Sequence, residues 1–269
     1  MKKIQIISIS IITLFSFFYT EKISKLTLEK NEIYQEIMQH SSEYEEKYVN
    51  AIIDDDKIIP GLNGRVVNIK NSFYNMIDLN TFNSYYLLYD VTYPEVSLEK
   101  NKDKIVSQGN PQKNAVSFIT NSNNKVTKYF KENNLPISIL TKLDTFNKSS
   151  NFEQVNNETK NFNKLESLIN KYSKNTNICY INDNNKEICK NHKKYLVRTN
   201  KVLNNQTFLE MKNNIASGDI YYIDNTIDTK NIRIFINSIL YKDLDIISLS
   251  NMLSEEKNVN SFWKCLKKM

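Results

Sequence analysis

From residue 115 onward the chain alternates short β-branched or aromatic runs with amphipathic helical stretches, and this alternation limits the fold more than any other feature. Strands are expected at 115–120, 135–140, 178–181, 195–198, 219–223 and 246–248. Helices are expected at 124–133, 162–172, 207–215, 229–240 and 249–255. Strands that alternate with helices must pair in parallel, because each crossover returns the chain to the same end of the sheet. The fold class is therefore α/β, a parallel sheet or β/α barrel, with Gly218 as the turn between a helix and its following strand.

Upstream the patterning differs. Residues 21–52 are charged, free of Gly and Pro, and place Ile23, Leu26, Ile33, Ile37, Tyr44 and Tyr48 at helical spacing, which predicts a helix. It serves either as a stalk or as a helix lying on its own domain. Residues 53–110 read as a small β-rich module, with strands at 85–93 and 96–98 and a turn-rich entry at Pro60–Gly64. Asp54-Asp55-Asp56 is read as a solvated run rather than a metal site. The expected organisation is thus 1–20 signal-anchor or signal peptide, 21–52 helical stalk, 53–110 small β-rich module, 111–255 α/β domain and 256–269 C-terminal tail.

Several function classes fall away. Only four glycines and four prolines are present, with no G-x-G-x-x-G or P-loop spacing, so glycine-loop nucleotide binding is excluded. The net charge of +6 is spread as Lys among Asp and Glu, without the Arg clusters and interleaved aromatics of a nucleic-acid surface. No nucleic-acid partner is expected. Histidine occurs twice, at His40 and His192, which removes most imidazole-based metal and acid–base sites.

Lys2-Lys3 followed by the apolar run 4–20 has the form of an export signal. The run lacks an Ala-x-Ala end, which favours retention as a signal-anchor over cleavage. The expected location is the cell membrane, single-pass with an extracellular domain, or secreted. Cys179 and Cys189 flank an Asn-rich turn in what reads as a strand–turn–strand hairpin, and a disulfide between them is expected. That bridge would use up the sulfur of Cys189 and so disarm the Cys189–His192 pair as a nucleophile. Cys265 is left over, as a free thiol or an intermolecular link.

Taken in order, the segments IIPGLNGRVVNIKNSFYNM (58–76), GNPQKNAVSF (109–118), KYFKENNLPISIL (128–140), CYINDNNKEIC (179–189), ASGDIYYID (216–224) and FINSILYKDLDIISLSNML (235–253) resemble the polysaccharide deacetylase family with its NodB-homology domain. The resemblance covers residues 50–255 and implies a distorted β/α barrel. It also implies metal-dependent removal of acetyl groups from envelope glycans, using a divalent ion held by one Asp and two His, a neighbouring Asp as base and a later His as acid. The family's T-F-D-D-G segment would end the first barrel strand, which here reads Ser117-Phe118-Ile119-Thr120-Asn121-Ser122 without a carboxylate. Its H-S/T-x-x-H pair would follow the strand at 137–140, yet residues 143–161 contain no His. Its late L-L-H-D motif would fall at Ile223-Asp224-Asn225, leaving Asp224 as the one candidate catalytic residue.

The expected function is a deacetylase-like protein, catalytically degenerate, that acts on or binds cell-wall polysaccharide and is tethered to the membrane by its N-terminal segment. No cofactor is expected. Two alternatives are kept: an active carbohydrate deacetylase with an unconventional site at Asp224 and a divalent metal such as zinc, and a lineage-specific surface protein or effector. Tyr85, Tyr86, Tyr89, Tyr180, Tyr221 and Tyr222 are candidates to stack on sugar rings.

Overall fold

The computed structural model describes residues 28–122, 124–173 and 177–257, with residues 13, 16, 18–20, 22 and 23 upstream. The export segment 1–20, apart from five of these residues, and Cys265 lie outside the described residues. Among the described residues, no helix is long and apolar enough to cross a membrane.

In chain order the first elements are α1 (Glu32–Tyr44), β1 (Ile52–Asp54), β2 (Lys57–Ile59), β3 (Gly64–Val67), α2 (Ile69–Met76), β4 (Tyr89–Thr92) and β5 (Ile105–Val106). Next come β6 (Ala115–Asn121), α3 (Asn124–Glu132), β7 (Ser138–Thr141), β8 (Glu153–Asn156), α4 (Phe162–Tyr172), β9 (Ile178–Tyr180) and α5 (Lys186–Asn191). The last are β10 (Tyr195–Val197), β11 (Val202–Leu203), α6 (Phe208–Asn213), β12 (Ile220–Ile223), α7 (Thr229–Tyr241), β13 (Asp245–Ile247) and α8 (Leu249–Leu253).

These elements form two compact units. The smaller one, Met1–Lys47 with Gly64–Thr92, holds α1, the antiparallel pair β3–β4 and α2. Asn31 caps α1 by accepting from the amide of Ile33. One face of the helix then buries Ile33 and Ile37 against Val67, Phe73, Met76 and Leu87. Of the two readings of this helix, the structure realises the one in which it lies on its own domain. The unit boundaries also cut across the expected 53–110 module, because 48–63 and 93–110 belong with the larger unit.

The larger unit is built on two sheets. One has the order β1-β2-β5-β10-β9, parallel except for the β1–β2 hairpin. The other runs β11-β12-β6-β7-β8, all parallel. β13 pairs with the first half of β6 (Asp245↔Ala115 to Ile247↔Ser117), while β7 pairs with the second half (Ile119↔Ser138 to Asn121↔Leu140). Both lie on the side of β6 opposite β12, so the sheet splits there.

The period of two along the strands sorts their side chains into two cores. Ala115 and Ile119 of β6 and Ile220 of β12 face a cluster shared by both sheets, with Ile58, Val106, Leu140, Val155, Ile178, Val197 and Ile247. The intervening Val116, Phe118, Tyr221 and Ile223 face the helices, meeting Phe130 of α3, Phe208 of α6 and Phe235 of α7. Phe118 makes edge-to-face contacts with Phe130 at 5.3 Å and Phe235 at 6.2 Å. Gly218 holds φ +89° ahead of β12, and its carbonyl accepts from the amide of Gly109 at 2.8 Å.

Three local readings need correction. Residues 179–189 are a strand, a turn and a helix, not a hairpin: Cys179 lies in β9 and Cys189 in α5, bridged with their Cα atoms 6.0 Å apart. Residues 84–86 form a 3-10 turn, so the strand expected over 85–93 is confined to β4. Residues 96–98 are not a strand and lead into a 3-10 turn at Glu99–Asn101. Strands unforeseen in the sequence, β1, β2, β5, β8 and β11, complete the two sheets. Asp54, Asp55 and Asp56 occupy the exposed β1–β2 turn, as the solvated reading holds.

Candidate functional site

In a parallel α/β arrangement, loops that can do chemistry sit beyond the C-terminal ends of the strands. Here those ends are Asn121 of β6, Thr141 of β7, Asn156 of β8, Tyr180 of β9 and Ile223 of β12, followed by Lys142, Asn157, Glu158, Asn182 and Asp224.

The positions where the resemblance places carboxylates carry none. Ile119 is fully buried in the core between the sheets. Thr120, equally buried, donates its hydroxyl to the carbonyl of Ile223 at 3.0 Å and ties β6 to β12. Asn121 donates its amide to the Tyr222 hydroxyl at 2.6 Å, and the Tyr222 ring stacks on Tyr180 with centroids 6.0 Å apart. Burial, with the nearby Asp224 adding to it, pushes the Tyr222 phenol above its ordinary value. This aromatic pair packs on the interior core and fills space at the strand ends.

Asp224 stands at the end of β12, where its carboxylate accepts from the amide of Thr226 at 2.9 Å and closes a turn. That bond alone accounts for an Asp at this point. Beyond the ends of β7, β8 and β9, a polar cleft of about 360 Å³ is lined by Lys142, Asn157, Glu158, Thr159, Asn182 and Asn184. The Glu158 carboxylate accepts from the amides of Leu143 at 3.2 Å and Thr159 at 3.1 Å. These bonds, led by the one from Leu143 and helped by the charge of Lys142, hold its carboxyl below the usual range. Asn185 braces the cleft from behind, donating to the Tyr180 carbonyl at 3.0 Å and accepting from the amide of Asn182 at 2.8 Å. The cleft offers amide donors and acceptors, one carboxylate and one ammonium, a set suited to sugar hydroxyls and acetamido groups.

The same chemistry does not suit a deacetylase metal. That ion requires imidazole and carboxylate together, and the segment 143–161, which contains β8 and its following loop, supplies amides instead. Among the described residues, no group of three or more His, Cys, Asp or Glu is placed to hold a metal ion. Neither histidine lines the cleft. His40 contacts Glu43 at 2.9 Å in the smaller unit, and His192 stacks on Phe162 at 4.5 Å. With Cys189 held in the disulfide, the Cys189–His192 nucleophile reading is excluded.

Of the candidate sugar-stacking tyrosines, Tyr221 is fully buried, with its hydroxyl donated to Asp219 at 2.6 Å, and Tyr180 and Tyr222 are committed to each other. Tyr85 is open, 84% exposed, in the smaller unit. The cleft amides were missed in the sequence. They sit in Asn-rich stretches that read as generic loop, and the buried β8 that positions Asn157 has no apolar alternation to reveal it.

No family profile matches the chain. Over 97 residues it is 39% identical to the uncharacterized protein YlxY of Bacillus subtilis (strain 168), a match that takes in 36% of this chain and spans 30% of that relative's length. Among solved structures it is similar to BA3943, a CE4 family pseudoenzyme from Bacillus anthracis, with TM-score 0.57 and 18% identity over 84% of this chain and 96% of that one. It is likewise similar to a mutant of that pseudoenzyme with restored enzymatic activity, with TM-score 0.56 and 17% identity over 84% and 99% of the two chains. The likeness establishes the fold, the one implied by the resemblance to polysaccharide deacetylases.

Proposed function

On the premise that the chain carries the fold of a CE4 family pseudoenzyme, we propose that it is a catalytically degenerate deacetylase-like protein that binds cell-wall glycan at the strand-end cleft and does not deacetylate it. The observation that carries this reading is the chemistry at the end of β6. An apolar Ile119 sealed in the core and a Thr120 bonded to the Ile223 carbonyl occupy the segment where the resemblance requires a metal-holding Asp and a neighbouring Asp as base. The filled Tyr180–Tyr222 pair and the amide-lined cleft support retention of sugar without hydrolysis.

The apolar run 4–20 and the Cys179–Cys189 bridge support an extracellular domain tethered to the membrane or secreted, since disulfides persist in oxidising compartments. The distorted β/α barrel that this reading assumes is supported by the split of β6 between β13 and β7 and by the one core that both sheets share. The test is co-sedimentation of the purified chain with purified peptidoglycan. The chain is expected in the pellet, and replacing Asn157, Asn182 and Asn184 together with Ala should release it. A chain that stays in the supernatant overturns the proposal.

A further inference from the structure

Next to the cleft, and sharing with it the backbone of Glu158, a second cluster joins a lysine, a carboxylate and a carboxamide. Lys194, 7% exposed, is hydrogen bonded through Nζ to Oε1 of Glu166. The other oxygen of the same carboxylate, Oε2, accepts from Nδ2 of Asn156 at 3.0 Å, and Asn156 is 1% exposed. The carbonyl oxygen of that carboxamide, Oδ1, accepts from the backbone amide of Glu158 at 3.0 Å. Asn156 Nδ2 also donates to the Phe162 carbonyl at 3.1 Å, the Lys194 amide donates to the Cys189 carbonyl at 3.1 Å, and the Cys179 sulfur lies 3.8 Å from the Asn156 carbonyl.

One carboxylate thus holds an amine through one oxygen and a carboxamide through the other, the two reactants of an intramolecular amide-forming reaction. We propose that Lys194 and Asn156 form an isopeptide bond autocatalytically, with Glu166 carrying the proton. Glu166 takes one proton from the Lys194 ammonium along their existing hydrogen bond. The freed lone pair on Nζ attacks Cγ of Asn156, and the charge that develops on Oδ1 is held by the Glu158 amide, in the manner of an oxyanion hole. Glu166 delivers its proton to Nδ2, to which it is already bonded, and the Cγ–Nδ2 bond breaks. The nitrogen of the new amide then gives up its extra proton. Lysine ammonium and asparagine carboxamide become one secondary amide and one ammonium ion, with no oxidant, reductant or co-reactant. Holding nucleophile, proton carrier and electrophile in one desolvated cluster replaces a bimolecular encounter with an intramolecular one. The bond would tie the end of β8 to the residue before β10, beside the disulfide that ties β9 to α5.

The test is peptide mapping of the reduced, full-length protein by mass spectrometry. The expected result is loss of the linear peptides bearing Asn156 and Lys194. In their place a branched peptide should appear, lighter than their sum by one ammonia, and it should be absent from Glu166→Gln and Lys194→Arg. Full recovery of both linear peptides from the wild-type chain overturns the proposal without reliance on any variant, as does conversion of Asn156 to Asp with no link. A Glu166→Gln protein that still cross-links overturns the role given to Glu166.

Discussion

Placing a carboxylate back at the end of β6 should cost stability in a pH-dependent way, and Ile119→Asp measures how firmly that position has been given over to the core. Ile119 has no solvent exposure and packs among apolar residues from both sheets. Removing the buried isoleucine costs about 2–5 kcal/mol, as in other large-to-small core changes, and an unpaired buried polar group adds about 1–3 kcal/mol. Ile119→Asn carries these costs alone. Ile119→Asp adds a charge, and an apolar site raises the carboxyl's folded-state pKa above its unfolded value of about 3.9. The added penalty is therefore absent below the unfolded value, grows by about 1.4 kcal/mol for each pH unit above it, and levels off at the folded pKa. The assay is urea unfolding of both variants from about pH 4.5 to 7.5, where Asp should fall progressively below Asn. Two variants that track each other across this range, close to wild type, would refute the reasoning, because they would place residue 119 in solvent.

Other perturbations follow from the same packing. Replacing Cys179 and Cys189 with Ser should lower stability by about 2.5–3 kcal/mol, the loop-closure entropy of a bridge spanning 10 residues, read by denaturant midpoints with and without reductant. Gly218→Ala should cost roughly 2 kcal/mol or more and lower Tm, since φ is +89° and the new Cβ would stand 2.5 Å from the Gly109 carbonyl oxygen. Lys113 is buried and donates to the carbonyls of Asn251 and Ser254 at the end of α8, and burial lowers its pKa to about 8 while Glu255 and Glu256 oppose the shift. Because the unfolded lysine holds its proton to higher pH, wild-type stability should rise relative to Lys113→Met as pH climbs above 8, by on the order of 1 kcal/mol per unit. A flat difference between the two across that range would refute the assignment.

The parallel α/β core was legible because its strands and helices carry their own periodicities: Val116 and Phe118 against Ala115 and Ile119, and Ile232, Phe235, Ile236 and Ile239 along α7. What escaped was structure built from polar residues. β8 reads Glu-Gln-Val-Asn, and its Gln154 and Asn156 are buried through hydrogen bonds to Asn147 and Ser173, and to Phe162 and Glu166, which no hydropathy pattern reports. The β1–β2 hairpin was hidden by the Asp run that forms its turn. At Cys179–Cys189 the pairing was legible while its setting was not, because an Asn-rich turn leads equally well into a strand or into α5. At the site, the missing histidines and carboxylates could be read directly. The amide cleft could not, since its residues come together only through the ends of β7, β8 and β9.

The central claim is that the deacetylase fold here retains a glycan surface without the means to hydrolyse an acetamide. The most direct measurement is acetate release from N-acetylated peptidoglycan by the purified chain, with zinc and other divalent ions added in turn. The account predicts no release above the protein-free control with any ion. Metal-dependent release that disappears in Asp224→Asn would contradict it and assign catalysis to the end of β12.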